Sequence, residues 1–448
     1  MLSRVSFVCV GILSLSACSV IDPGSGVSEV SGLLTSRGGA SIDQSVVSKE
    51  TVTTGGVYLK NLDKPFSLDK ALRTALVHSP ALHAQYAELE ISRADVKQAS
   101  LPRNPRFDGL ITFATEGGVS TLAANALYPV LDLVYRPIRV NESKAEFQAT
   151  QVSVAEEIIS HINETSEAYM QLARSQARIG ALSNVAALAR SQAKSARGLA
   201  ATGGIDGSQV ARLENILAEA EIELDEELSA KKIAATQLAS LMGTTQKQQL
   251  SASLNIQQIS QKLPSIETAL SRAKKQRLDL AVAKEKVRVR KIALERAGRK
   301  LGPEAVDVGL ELERDDDENF ITPIIEVELP VFDKGEVKLE KALAELKLAK
   351  QQVSAIKNRI KSEVRTTHSE VLSNRRTALA HRNKLVPFAR AQADLAKRRF
   401  EGGQIEALDF LEAEIEATRS RLSAIDAAAA YWEALGRFNT AVGGWPGT

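Results

Sequence analysis

At 448 residues the chain is long enough for two or three ordinary domains, yet its 44% hydrophobic content includes only 4% aromatics. Alanine, leucine and charged residues dominate instead, the profile of long helices rather than of a compact mixed core. A formal net charge of +2, without a dense Lys/Arg run, excludes a nucleic-acid surface.

Residues 1–17 read as a secretory signal peptide, with one positive charge at Arg4, an apolar run from Val5 to Leu15 and small residues before Cys18. The run is too short to span a membrane as a mature helix. Its end, Leu15-Ser16-Ala17-Cys18, resembles the bacterial lipobox, which implies cleavage before Cys18 and a covalent lipid on that residue. The other reading is an ordinary signal cleaved at a small residue, with Cys18 incidental. Cys9 leaves with the signal, so Cys18 is the one mature cysteine and no intramolecular disulfide forms. Ser19 is not the aspartate that retains many lipoproteins in the inner membrane, which points the lipidated segment 18–65 to the outer membrane.

The rest of the chain is a tandem duplication. "ALRTALVHSPALHA" from Ala71 parallels "ALSRAKKQRLDLAV" from Ala269, and "PVLD" at Pro129 parallels "PVFD" at Pro330. "ARSQA" at Ala189 matches "ARAQA" at Ala389, and Gly203-Gly204 matches Gly402-Gly403, all at offsets of 198 to 201 residues. The first repeat, 66–243, predicts helices over 68–101, 138–200 and 206–242, strands at about 104–116 and 124–136, and a tip at 201–207. After a linker at 244–265, the second repeat, 266–443, predicts helices over 266–300, 336–400 and 405–440, strands at about 303–314 and 319–332, and a tip at 401–405; a tail follows at 444–448. The fold class is therefore mainly α, on a duplicated helix–β-hairpin–helix–helix plan with a membrane β-barrel part.

Two patterns support that reading. Leu339, Ala342, Leu346, Ala349, Val353, Ile356 and Ile360 alternate spacings of three and four, a heptad seam in a helix that would reach about 95 Å. In "EAVDVGLELER", Val306, Val308, Leu310 and Leu312 alternate with Asp307, Gly309, Glu311 and Glu313, while Ile325, Val327 and Leu329 alternate with Glu326 and Glu328. Such alternation suits a barrel strand between lipid and a wet lumen. The earlier strands alternate less cleanly, and there Leu110 and Leu131 are placed toward lipid. The acidic hairpin joint at 315–319 reads as a solvated turn. Four strands cannot close a membrane barrel, whose minimum is about eight, and open edges are not viable in lipid. Other copies must close it; three are preferred over two, because an eight-stranded barrel is filled by its own side chains.

The duplicated plan, "QRLDLAVAK" at 276–284, "PVFDKGEV" at 330–337, "RRFEGGQIEALDFLEAE" at 398–414 and "YWEALGRFNTAVGG" at 431–444 together resemble the TolC-like outer-membrane efflux proteins, in particular their lipoprotein branch. The resemblance spans residues 65 to 443. It implies a homotrimer with a twelve-stranded barrel and an α-helical periplasmic tunnel, girdled by a belt built from 20–65, 244–265 and the C-terminal end. It implies passive conduction of substrates handed over by a periplasmic adaptor from an inner-membrane pump of RND or ABC type, with no enzyme activity and no cofactor beyond the lipid on Cys18. The alternative reading is a lipid-anchored periplasmic coiled-coil adaptor or scaffold.

Carried over by position, Asp409 is the entrance aspartate of the family, Glu412 a second acid and Glu406 a third at the same helical spacing. Tripled in a trimer, they would form a ring attracting cations. Acids in a first helical turn also favour the helix N-terminus. Six and nine residues after Gly204, however, stand Val210 and Leu213, so the first repeat lacks these acids, although Asp206 and Ser208 there are capping candidates. Gly203, Gly204, Gly402, Gly403 and Gln404 are the expected adaptor-docking tips, the glycines serving first as helix-ending turn residues. His78, His83, His161, His368 and His381 lack metal-ligand spacing, and no enzyme motif appears.

Overall fold

The computed structural model describes residues 21–43, 64–113, 119–245, 249–252, 259, 262–299, 305–315 and 318–445. The signal peptide, Cys18, part of the acidic joint and much of the expected belt lie outside them. The chain divides into two compact units, one comprising Met1–Glu29, Ala87–Val154 and Asp279–Ala355, the other Val30–Tyr86, Ala155–Leu278 and Ile356–Thr448. In chain order the elements are α1 (Val27–Thr35), α2 (Leu68–His78), α3 (Pro80–Ser100), β1 (Arg106–Phe113), β2 (Val119–Pro129), α4 (Asp132–Ala201) and α5 (Gly207–Leu241). The second repeat gives α6 (Ile266–Gln276), α7 (Leu278–Gly298), β3 (Val306–Asp315), β4 (Glu318–Val327), α8 (Glu336–Ala380), a π-helical turn (His381–Leu385), α9 (Val386–Glu401) and α10 (Ala407–Ala441).

The first unit holds one antiparallel sheet in the order β1-β2-β3-β4, with β1 and β4 as its edges. Register sorts its side chains onto two faces. Phe107 pairs with Ala126, Ala126 with Leu310 and Leu310 with Pro323, so these four share a face with Val308, Leu312 and Ile325. The opposite face carries Asp108, Asn125, Glu311 and Thr322 in one row, and Asp307 beside Glu326 in another. Arg106 donates to Asp307 Oδ2 at 2.8 Å and to Glu326 Oε2 at 3.2 Å. Leu110 does not join the apolar face: it pairs with Ala123, which pairs with Glu313, so it stands on the face that carries Asp108 and Glu311, and Phe107, Ile111 and Phe113 take the opposite positions. Leu131 and Leu329 lie outside the strands, which end at Pro129 and Val327. Sequence places α4 from 138, but it starts at Asp132 and carries Pro137 in its second turn, where the proline forgoes the amide bond back to Leu133. Asp132 is buried there by Arg139 (Nη1–Oδ1 2.7 Å) and accepts from the Arg103 amide at 3.0 Å.

In the second unit each repeat shows the same break, which sequence periodicity passes over. The expected helices 68–101 and 266–300 are each interrupted by one extended residue, Ser79 (ψ 120°) and Arg277 (ψ 122°). Both preceding helices start alike, Ser67 Oγ accepting from the Lys70 amide and Ser265 Oγ from the Thr268 amide, each at 3.3 Å. Pro80 accounts for the first break, since the residue before proline is driven to extended backbone. Packing accounts for both: a Cβ on Gly243 would stand 1.9 Å from His78 O, and one on Gly443 would stand 2.7 Å from Gln276 C. The chain leaving the last helix of each repeat thus presses its backbone against the broken joint. Nearby, Phe66 bridges to Ala252, Tyr169 donates its hydroxyl to Phe66 O at 2.7 Å, and the Trp445 amide donates to Arg37 O at 3.0 Å.

The helix expected over 336–400 is likewise interrupted, by the π-turn, where Val386 N–H reaches back to His381 O. Pro387 follows at once; it has no amide to give Asn383 and its ring clashes with that carbonyl, so the helix absorbs one extra residue there. Along the heptad seam, Ala342, Leu346, Ala349 and Ile360 are buried.

Candidate functional site

Both tips belong to the second unit and close by one mechanism. Gly203 N–H donates to Ala200 O at 3.1 Å and Gly204 N–H to Leu199 O at 2.8 Å; Gly403 N–H donates to Phe400 O at 2.9 Å and Gln404 N–H to Arg399 O at 2.8 Å. These are paired Schellman closures whose pivotal residue takes positive φ, +73° at Gly203 and +68° at Gly403. The pairing of Gly203-Gly204 with Gly402-Gly403 is therefore one residue out of register. Gly203 corresponds to Gly403 and Gly204 to Gln404, while Gly402 caps the helix with an ordinary φ of −85°.

The helices after the tips begin at Gly207 and Ala407, with Asp206 and Glu406 at their N-caps, so the positions matching Asp409 and Glu412 are Gln209 and Arg212 rather than Val210 and Leu213. Leu213 is instead buried, with Ala189, Ala193, Ala196, Leu217 and Leu411, in the cluster that binds the second tip to the first hairpin. An acidic N-cap is thus common to both tips, and the asymmetry is confined to Asp409 and Glu412. Matching on "GID" and "QIE", at 204–206 and 404–406, would have found this register from sequence.

The three acids are all exposed but differ in their bonds. Glu406 and Asp409 form a reciprocal capping box, the Asp409 carboxylate accepting the Glu406 amide at 3.4 Å. Glu406 also accepts from Gln209 Nε2 at 3.0 Å, tying one tip to the other. Glu412 has no hydrogen bond or ion pair among the described residues. At the first tip, Ser208 Oγ donates to Asp206 at 2.5 Å, holding that carboxyl below the usual range, and Asp206 makes no side-chain cap bond. Stacked Phe400 and Phe410, with centroids 5.2 Å apart, hold the second hairpin shut, a contact sequence spacing did not single out. Farther from the tips, Arg178 joins α5 and α10 to α4, pairing with Glu227 at 2.7 Å and Asp426 at 2.8 Å.

Cys18 lies outside the described residues, but the chain just after it is held: Ile21 N–H donates to Ser100 Oγ, and Asp22 pairs with Arg93 at 2.5 Å and Lys97 at 3.2 Å. Those two cations hold the Asp22 carboxyl well below its ordinary range. His83, His161 and His368 each contact a backbone carbonyl, of Val77, Leu241 and Pro264. Among the described residues no group of three or more His, Cys, Asp or Glu could hold a metal ion, and no helix is long and apolar enough to cross a membrane.

Residues 269–444, most of the second repeat, match the family described as outer membrane efflux protein. The cobalt-zinc-cadmium resistance protein CzcC of Cupriavidus metallidurans is 21% identical over 366 residues, covering 82% of this chain and 87% of the relative. The structure of CusC, described in connection with transmembrane channel formation, superposes with a TM-score of 0.70 at 14% identity, covering 85% of this chain and 93% of that one. The outer-membrane channel OprN superposes with a TM-score of 0.69 at 17% identity, covering 89% and 99%. At these identities the structural likeness is one of fold.

Proposed function

We propose that this chain is an outer membrane efflux protein of the TolC-like kind, a reading supported by the family match over residues 269–444 and by the shared fold, and that three copies close one pore and pass substrates outward without converting energy. The observation that carries this reading is the sheet. It exposes one face of large apolar side chains, Phe107, Ile111, Leu310 and Ile325 among them, and its polar face carries Asp108, Glu311 and Glu326. A face of that kind is costly in water and favourable in hydrocarbon. The edges β1 and β4 then need partners, because an unpaired strand edge costs several kcal/mol per group in lipid. Pairing β1 of one copy with β4 of the next satisfies both edges, and three copies of four strands give twelve. A lipid-anchored adaptor has no use for a two-faced sheet of this design.

The tips would meet a periplasmic adaptor through Gly203, Gly204, Gly402, Gly403 and Gln404, and the adaptor would bring an inner-membrane pump of RND or ABC type. Glu412, repeated by symmetry with Asp409 and Glu406 beside it, would form an acidic ring that favours cations at the entrance. The cobalt, zinc and cadmium named for the CzcC relative are cargo of the sign this ring favours. Lipid on Cys18 would hold the N-terminal segment at the outer membrane. The direct check on assembly is the mass of the detergent-extracted, crosslinked complex. Three protomers in an outer-membrane fraction agree with the proposal; a monomer, or an inner-membrane or soluble protein, overturns it.

A further inference from the structure

Below the sheet, the first unit encloses a solvent-open cavity of about 750 Å³ between the end of α7, the start of α8, Tyr135 of α4 and the segment that leaves β4. That volume lies within the usual range for small-molecule sites, about 300–1,000 Å³. Its lining has six cationic side chains against four carboxylates. Three of the cations are committed: Arg296 to Glu142 at 2.7 Å, Arg290 to Glu345 at 3.1 Å and Lys338 to Asp333 at 3.3 Å. The other three, Arg299, Lys334 and Lys341, have no ion pair among the described residues, and only Glu336 remains on the acid side. They come from three different segments, so neither a single charged helix face nor a run of basic sequence explains why they converge. The N-terminus of α8, at Glu336, also lines the cavity, adding the positive end of its helix dipole.

The position of the cavity suggests its ligand. Val327 is the last paired residue of β4 and the cavity begins at Pro330. Between sheet and cavity, or beside it, Leu329, Val331 and Phe332 are exposed, Phe332 completely so at 101%. An apolar ledge meeting a pocket of unspent cations matches the two parts of a membrane lipid, chain and phosphate. We propose that this cavity binds the phosphate of an anionic lipid headgroup, with Arg299, Lys334 and Lys341 as its cationic ligands and Val331 and Phe332 against the acyl end. The inference rests on the reading that the apolar face of the sheet lies in lipid, since that reading sets the cavity at the membrane surface.

Native mass spectrometry of the detergent-extracted complex tests it, with phosphatidylglycerol, phosphatidylcholine and inorganic phosphate as probes. The parent should retain phosphatidylglycerol adducts in preference to phosphatidylcholine. The triple variant Arg299→Ala/Lys334→Ala/Lys341→Ala should lose them by at least about tenfold, whereas Arg299→Lys/Lys334→Arg/Lys341→Arg should keep them within about twofold. Should the triple alanine variant not assemble, Lys334→Ala alone, in the exposed loop, should still weaken retention by about threefold. Equal retention by parent and alanine variants, or equal retention of the two lipids, overturns the site. Displacement of the lipid by millimolar inorganic phosphate also overturns it, assigning the cavity to free phosphate. Conductance of the same preparations separates the two claims: a conducting pore that does not distinguish the lipids sinks the headgroup site alone, and a protein that never enters membranes sinks the channel reading itself.

Discussion

Asp409 and Glu412 stand three residues apart on one exposed helical face, yet substitution should separate them. Asp409 accepts the Glu406 amide and so contributes to the helix start, where loss of a cap costs about 0.5–2 kcal/mol. Glu412 has no such bond. Glu412→Gln should therefore reduce cation preference, read as a shifted reversal potential in a salt gradient, with the unfolding midpoint unchanged. Asp409→Asn should shift both readings, lowering stability by about 1 kcal/mol. An unaltered reversal potential in the double variant would reduce both acids to surface residues. Another carboxyl, Glu433, lies inside the second unit. Burial in a cavity shared with Glu167 and Glu363 pushes the Glu433 carboxyl above its ordinary 4.5; Arg437 and Arg174 pull it back and Glu167 raises it further. The folded chain then holds this proton more tightly than the unfolded one, so stability falls as pH rises from about 4.5 through the folded value. Glu433→Gln should match the parent's urea midpoint below that window and exceed it at pH 8; a constant difference across the range would contradict the assignment.

At the scale of elements, the two hairpin turns make a sharper comparison than their doubled glycines suggest. Gly403 has φ +68°, and a Cβ there would meet open space, so Gly403→Ala costs only the left-handed backbone penalty, about 1–2 kcal/mol. Gly402 has φ −85°, and a Cβ there meets nothing closer than 3.4 Å. Gly402→Ala should be nearly silent, while Gly403→Ala should speed amide exchange across residues 399–404; equal effects would contradict the assigned turn. Elements are legible in sequence where one local cause governs them. Alternation in "VDVGLELE" and the offsets near 200 residues reveal strands and repeats because period and spacing are properties of the chain. The joints at Ser79 and Arg277 are not legible in that way, for the second has no proline and depends on the approach of Gly443 from far along the sequence. Leu110 goes to the wrong face on sequence alone because β1 carries apolar residues on both sides of its pleat, and only pairing with β2 decides the register. At the tip, Gly-Gly draws the match one residue off, whereas the hydrogen bonds that close the turn align Gly203 with Gly403.

At the scale of the whole molecule, one duplicated chain supplies half-exposed strands and long helices, and both leave surfaces that a single copy does not satisfy. The proposed lipid on Cys18 is tested separately. Cys18→Ala should abolish incorporation of labelled fatty acid while Asp22, Arg93 and Lys97 still secure the segment beyond it, so the variant should fold but partition less completely into outer membranes; continued lipid labelling would contradict Cys18 as the attachment site. Pore formation by copies of this chain is directly measurable. Its most direct measurement is the current across a planar bilayer after purified protein is added: uniform, discrete conductance steps with cation preference are predicted, and a protein that inserts without conducting, or never inserts, would contradict the account.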